Sequence, residues 1–388
     1  MLLNEFIPVD KSSAIRAFLF SLLTDEKVEV ICESELPYDA VSALNCLNLF
    51  DKTVEKENGV FKISGKTQKP QQVVDCGNSA TMMHLLTGIS VFLGMDLKLT
   101  GDESLMSRDH SDFTDAAGLY KEGVVETALT KESAQLKSFH LLAMLRNGGK
   151  LHFRSRTRRN TEELLAVMGV KLIESEGLIE VFPAESLNGY RVSLQKDPSS
   201  AFIAACAAFI CGKSFEISDV YPEKSRLEPF VFLERSGYSV GIKYEKSGCI
   251  VSGKPKICNA EKNIAVGKDE VAAVIDEIPF IAYMAVRNGL DFRIGNAEWL
   301  RNKESDRISE TVKRLSLMFR SEEFEDGFKV SGSTEVSLKG DIPHSLDHRM
   351  EMLSSLIALD RGIGFEADPS YKISFPKFYE LLRCLKNE

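Results

Sequence analysis

Residues 197–210 read DPSSAFIAACAAFI, a short polar start that runs at once into ten residues that are apolar or cysteine. An aspartate at such a start accepts a hydrogen bond from a backbone N–H that the first helical turn leaves without a partner. Proline is suited to the first helical position, where no N–H is needed. The run that follows is apolar on every side, and a helix of that kind is buried. It reaches about half of the roughly 20 residues needed to cross a bilayer, so its burial is inside a globular core.

The same order of residues returns through the chain: DKSSAIRAFLFSLL from 10, GNSATMMHLLTGISVF from 77, SAQLKSFHLLAML from 133, DEIPFIAYMAV from 276 and DHRMEMLSSLIAL from 347. After each helix a strand-like stretch is expected, in KVEVICES, DLKLTGDES, KLHFRSRT, SFEISDVY, DFRIGNAE and GIGFEADP in turn. A second, amphipathic helix follows each of these, and then a strand pair such as KLIESEG with LIEVFP. Six copies spaced 56 to 79 residues apart make one supersecondary unit per interval. The second interval is the shortest and leaves no room for its strand pair, so that unit is expected to be pruned near 112–130. The last unit stops at its second helix and is expected to borrow a strand from LLNEFIPV at the N-terminus. The expected domains are therefore 11–196 and 1–10 plus 197–388, with the chain crossing between them twice.

The chain of 388 residues is long enough for two or three domain-sized cores, and 44% hydrophobic with 27% charged is the balance of a soluble globular protein. A formal net charge of −9 argues against nucleic acid or an anionic membrane as the main partner, since both need a broad basic field. The opening MLLNEFIPVDK has no basic stretch ahead of its apolar residues, which predicts no signal peptide and a cytoplasmic protein. Eight cysteines, Cys258 among them, form no C-x-x-C pair and have no histidine at ligand spacing. They read as small buried hydrophobes in a reducing compartment, and neither a metal nor another cofactor is expected.

Helix N-termini offer free N–H donors and a partial positive charge, so six buried helix starts amount to an anion-binding arrangement. Cations stand at or near several of them: Lys11, Arg16, Lys137 and Arg349, with Arg108, Lys303 and Arg307 after strands. The charged stretch LRNKESDRISE, 300–310, is read as helical, with Glu304 and Arg307 at i,i+3 and Lys303 and Arg307 at i,i+4. Asp276, just before an apolar helix, has a plain alternative reading as a helix cap, as do Ser12, Ser133 and Gln135. His84, His110, His140, His152 and His344 have no partner at an informative spacing. Trp299 is read as a packing residue.

The motifs DKSSAIR, DCGNSATMM, LTGDESLMSR, SAQLKS, DPSSA, DEIP, LRNKESDRI, DHRM and SFPKFYELL stand in the order, and at nearly the spacing, that they have in the 5-enolpyruvylshikimate-3-phosphate synthase family. The chain resembles that family over almost its whole length. The resemblance implies a two-domain inside-out α/β barrel, each domain of three βαβαββ-type units, with a cleft that closes on substrate. It implies transfer of the enolpyruvyl group of phosphoenolpyruvate to the 5-hydroxyl of shikimate 3-phosphate, with release of phosphate and without a cofactor; a monomer is expected. In residues, it implies Asp276 and Glu304 as the proton-transfer pair, with Lys11 reaching both substrates. Ala80, Arg108, Arg307, Arg349 and Lys372 fall to phosphoenolpyruvate, and Ser12, Arg16, Ser133, Gln135, Asp276 and Lys303 to shikimate 3-phosphate. His348, which precedes Arg349, is read either as orienting the phosphate end or as making a structural hydrogen bond.

Three positions depart from the family pattern. Ala80 stands in place of a glycine, His84 in place of an arginine, and Ile373 in place of a lysine that Lys372 precedes by one residue. The family's inhibitor glyphosate lies against that glycine, so the added methyl of Ala80 is expected to obstruct it. Two other functions stay open on the sequence: enolpyruvyl transfer to a UDP-sugar, and a homologue that binds the anions without turnover.

Overall fold

In the computed structural model the described residues are 1–121, 123, 126–154, 157–184, 186–255, 260–366 and 368–387. The chain forms two compact units, one of Val9–Leu194 and one of Met1–Pro8 with Gln195–Glu388. Each has its own hydrophobic core.

All six apolar runs are helices: Lys11–Leu19, Ala80–Leu93 and Ala134–Met144 in one unit, Pro198–Ile210, Ile278–Arg287 and His348–Arg361 in the other. Local chemistry starts five of them. Asp10, Ser79, Ser133, Asp197 and Asp347 each accept a hydrogen bond from a first-turn N–H. Burial is nearly complete: every residue from Pro198 to Phe209, from Ile278 to Val286 and from His348 to Ala358 is buried. Ala80–Leu93 and Ala134–Met144 pack closely because Gly88 sits between them; a Cβ there would lie 3.0 Å from both Leu142 Cβ and the Phe139 carbonyl oxygen.

The sheets around these helices follow one plan, a parallel edge strand, a central strand and an antiparallel hairpin. Arg191–Ser193 pairs in parallel with Val28–Ile31, which continues into Val60–Ser64 and Thr53–Glu57. Glu126–Ala128, Gly149–His152, Leu178–Val181 and Leu172–Ser175 repeat that order, as do Asn263–Val266, Asp291–Ile294, Gly327–Ser331 and Arg320–Phe324. Among the described residues the second repeat keeps only the parallel pair Val74–Asp75 with Leu99–Thr100. Its second helix, Ser111–Lys121, is separated by residues 122–125 alone from the first strand of the next unit.

Three expectations are corrected. The N-terminal segment completes the sheet of the fourth repeat, Phe215–Val220 with Cys249–Lys254 and Ser239–Tyr244, not that of the last: Leu2 bridges Glu216 in parallel, and Leu3 N donates to the Glu216 carbonyl at 3.1 Å. The stretch from 363 forms no strand among the described residues, so the sixth unit consists of His348–Arg361 and Phe378–Asn387 with a 3-10 turn, Pro369–Ile373, between them. Residues 303–306 are not helical either. Glu298–Asn302 is a 3-10 turn, and the helix begins at Arg307, because Asp306 takes the Ser309 N–H as its cap.

Five cysteines are buried, Cys211 and Cys384 are half-buried, and Cys258 lies outside the described residues. Burial raises the Cys32 and Cys249 thiols to about 11 and that of Cys76 to about 12, so none of these three is a thiolate at neutral pH. Among the described residues no helix is long and apolar enough to cross a membrane.

Candidate active site

In the Val9–Leu194 unit the polar groups gather where the three inner helices begin. Asp10 accepts from Ser13 N at 2.8 Å and Ser13 Oγ at 2.6 Å, which sets the first turn carrying Lys11 and Ser12. Lys11 Nζ lies 2.9 Å from Asp39. Arg16 turns inward and is buried. Its guanidinium donates to the Ser12 carbonyl at 2.9 Å, Thr161 Oγ1 at 2.8 Å and Ser138 Oγ at 3.0 Å. Near it a buried Lys137 meets Glu162 at 2.5 Å.

Ser133 caps the Ala134–Met144 helix, accepting from Leu136 N at 3.4 Å, so the plain reading of that serine holds for its side chain. Gln135 is different: its amide donates to Thr81 Oγ1 at 2.9 Å, and its oxygen lies 2.7 Å from His84 Nδ1. Ala80 is the first residue of the helix that Ser79 caps. Arg108 donates to Asn78 Oδ1 and Ser104 Oγ, both at 3.2 Å, while its buried Nε has no partner among the described residues. An unpartnered buried donor costs free energy until a ligand or water meets it.

The second group lies wholly in the other unit. Asp276 is not the cap of the Ile278–Arg287 helix; Glu277 holds that position, without a side-chain capping bond. Instead Asp276 Oδ1 accepts from Arg307 Nη1 at 3.2 Å and lies 3.5 Å from Lys303 Nζ, and Arg349 Nη1 donates to the Asp276 carbonyl at 3.2 Å. Arg307 is 2% exposed and grips Asp347 with two N–H groups, Nε at 2.8 Å and Nη2 at 3.2 Å. Glu304 faces Arg307 at 3.6 Å and His348 Nδ1 at 2.5 Å. Burial works against the Arg307 charge, yet Asp347, Glu304 and Asp276 together outweigh it and raise the pKa. Burial likewise works to raise that of Asp347, and Arg307 outweighs it, holding the carboxyl below its ordinary value. Both groups are therefore ionised at neutral pH.

The family model of EPSP synthase (3-phosphoshikimate 1-carboxyvinyltransferase) matches residues 6–116 and 111–382. The chain belongs to the EPSP synthase family. A 3-phosphoshikimate 1-carboxyvinyltransferase of Helicobacter hepaticus is 31% identical over 97% of this chain and 93% of its own length. That of Campylobacter concisus is 32% identical over 97% and 94%. Among solved structures, EPSP synthase from Acinetobacter baumannii superposes with a TM-score of 0.80 at 24% identity, covering 99% of this chain and 95% of that one. The enolpyruvyl transferase NikO from Streptomyces tendae gives 0.69 at 12% identity, covering 99% and 96%. These likenesses show the two-domain inside-out α/β fold.

EPSP synthase chemistry needs cations for two anionic substrates and two groups that exchange protons, and the geometry supplies candidates for each. Lys303, Arg307 and Arg349 converge on Asp276, with Glu304 beside them. Lys372 is placed by its backbone alone. It lies in the Pro369–Ile373 3-10 turn, where successive side chains point about 120° apart, so it does not share the direction of Ile373. Glu304, Asp347 and His348 bring three donor atoms within 4.8 Å of one another, a spacing a cation site would have. Asp347 is already committed to Arg307, and a cation there would have to displace a guanidinium.

Sequence reading missed several partners. Asp347 was legible only as a helix cap, and its bond to Arg307 spans 40 residues. Asp39 and Thr161 carried no local signal, and Glu277, weighed only as a lesser alternative to Asp276, accepts from Arg349 Nη1 at 3.1 Å. The histidines were misjudged: His84 Nε2 lies 2.9 Å from His110 Nδ1, and Tyr120 Oη lies 2.7 Å from His140 Nδ1. Trp299, read as a packing residue, is 36% exposed.

Proposed function

We propose that Asp276 and Glu304 carry the proton transfers of the family's reaction, in which the enolpyruvyl group of phosphoenolpyruvate passes to the 5-hydroxyl of shikimate 3-phosphate and phosphate leaves. Asp276 takes the hydroxyl proton as its oxygen bonds to C2 of phosphoenolpyruvate, and Glu304 supplies a proton to the methylene carbon. The product keeps its methylene group, so a proton must leave that carbon again as the bond to phosphate breaks. Two groups acting on different atoms are thus required, each typically contributing about 10²- to 10⁴-fold in rate.

Lys11 reaches both substrates in this reading. Arg108, Arg307, Arg349 and Lys372 hold phosphoenolpyruvate, with Ala80 against it; planar guanidinium forks suit its carboxylate and phosphate. Ser12, Arg16, Ser133, Gln135 and Lys303 hold shikimate 3-phosphate, with Asp276 at its 5-hydroxyl. A monomer acting in the cytoplasm without a nucleic-acid partner fits the net charge of −9.

One observation carries the assignment: Asp276 binds three cations rather than capping its helix, with Glu304 fixed one residue from Lys303 by His348. The test is phosphate release from phosphoenolpyruvate. It is expected with shikimate 3-phosphate and absent with UDP-N-acetylglucosamine; release with the UDP-sugar alone, or with neither acceptor, overturns the assignment.

A further inference from the structure

We propose that His84 is a positioning residue that locks the two substrate contacts of the Val9–Leu194 unit to each other, holding Gln135 through Nδ1 and the Arg108 segment through Nε2 and His110. The inference rests on the assignment of Gln135 to shikimate 3-phosphate and Arg108 to phosphoenolpyruvate.

His84 lies one turn into the Ala80–Leu93 helix and is 6% exposed. The Phe113 ring is stacked on it, centroids 3.5 Å apart and planes within 5°, which fixes the plane of the imidazole. Both nitrogens are engaged within that plane: Nδ1 lies 2.7 Å from Gln135 Oε1, and Nε2 lies 2.9 Å from His110 Nδ1. Thr81, three residues earlier on the same helix face, takes the other end of the Gln135 amide at 2.9 Å. Gln135 is therefore held at both ends by one helix. On the far side His110 Nε2 lies 2.9 Å from the carbonyl oxygen of the fully buried Leu105. Leu105 and His110 bracket Arg108, so the ring pair ties the ends of the segment that presents it.

Burial holds the His84 pKa down to about 3, with His110, Lys131 and Arg108 as the nearby groups that oppose its charge. Lys131 is itself paired with Asp112. A neutral ring has one donor and one acceptor nitrogen, so it can serve Gln135 and His110 together through two unlike bonds. Arginine, the residue the family has here, carries five donors and no acceptor, so it cannot reproduce the imidazole's one donor and one acceptor nitrogen.

Two isosteres separate the two bonds, because an asparagine amide reaches the Nδ1 position and a glutamine amide the Nε2 position. His84→Asn is expected to raise the KM for phosphoenolpyruvate about 5- to 10-fold and leave that for shikimate 3-phosphate within about 2-fold, the loss of one hydrogen bond. His84→Gln is expected to do the reverse. His84→Arg, despite restoring the family residue, is expected to raise both. A packing role alone would move both KM values together in all three variants, and that result, or no change in either, overturns the proposal. Gln135→Ala and Arg108→Ala test the underlying assignment separately: if neither raises the KM of its own substrate, the assignment fails whatever His84 does. In the unaltered protein, the imidazole nitrogen NMR signals of His84 should report hydrogen bonding at both ring nitrogens. A ring nitrogen found without a hydrogen bond also overturns the proposal and needs no variant to fold.

Discussion

Replacing Asp347 with asparagine removes one charge from the buried centre of the Met1–Pro8 and Gln195–Glu388 unit and little else. Asparagine is as good a helix cap as aspartate, so the start of the His348–Arg361 helix survives. The loss falls on Arg307. Its side chain is 2% exposed and that of Asp347 is 0% exposed, so the guanidinium keeps its charge without its bidentate partner, and an amide NH₂ must face one of its N–H groups. Breaking a buried pair by removing one partner costs about 3–5 kcal/mol. Asp276 at 3.2 Å and Glu304 at 3.6 Å still compensate part of the charge, which places the expected loss near the lower end, about 3 kcal/mol. With a urea slope of about 2–3 kcal/mol/M for a unit of this size, the midpoint should fall by about 1–1.5 M. Trp299, the single tryptophan, belongs to the same unit, so its fluorescence follows the relevant transition. The pH dependence is the sharper check. Because the folded-state pKa of Asp347 is lowered, its contribution is complete above the ordinary carboxylate value of about 4 and is lost as pH falls through the folded value. The gap between parent and Asp347→Asn should be full at pH 7 and shrink below about pH 4. Equal midpoints at pH 7, or a gap that persists unchanged in acid, would refute the claim that this ion pair supports the unit.

Asp276→Asn and Glu304→Gln should each lower kcat by at least about 10²-fold with substrate binding kept within a few-fold; an effect confined to KM would mean that they only position substrate. Lys372→Ala should raise the KM for phosphoenolpyruvate about tenfold, the loss of one charge-assisted hydrogen bond, and an unchanged KM would show that the 3-10 turn points the ammonium elsewhere. Ala80→Gly should increase glyphosate inhibition by about 5- to 150-fold, the range of 1–3 kcal/mol for relief of overpacking, and unchanged inhibition would remove the steric account.

Starts of helices were the most legible part of this chain, because a cap and its helix are neighbours in sequence: DPSSA and GNSA state their own geometry. Sheet edges were the least legible. Arg191–Ser193 is a three-residue strand that alternates exposed and half-buried, and without the parallel partner at Val28–Ile31 nothing marks it as a strand. The stretch from 363 has strand-like residues but no edge to pair with among the described residues, and pairing rather than propensity decides. In the site, single residues were readable from motifs while their bonds were not. His84 and His110 stand 26 residues apart, and Arg307 and Asp347 stand 40 apart, so neither pairing leaves a periodic trace. Lys303 and Glu304 kept their candidate roles although their helix was misread, since an ion pair needs proximity and not a helical turn.

The pairing of the first residues with the strand Phe215–Val220 bears on how the chain is made. Asn4 and Ser218 are joined side chain to side chain across 214 positions, and Leu3, Phe6 and Ile7 sit in the core of the unit that Gln195–Glu388 completes. At a synthesis rate of about 5–20 residues per second, that segment waits roughly 10–40 s for its partner strand to appear. Meanwhile every residue of the Val9–Leu194 core has been made and can close without it. Trimming the first eight residues, or fusing a bulky domain ahead of them, would therefore spare the neighbouring unit and damage the one translated last.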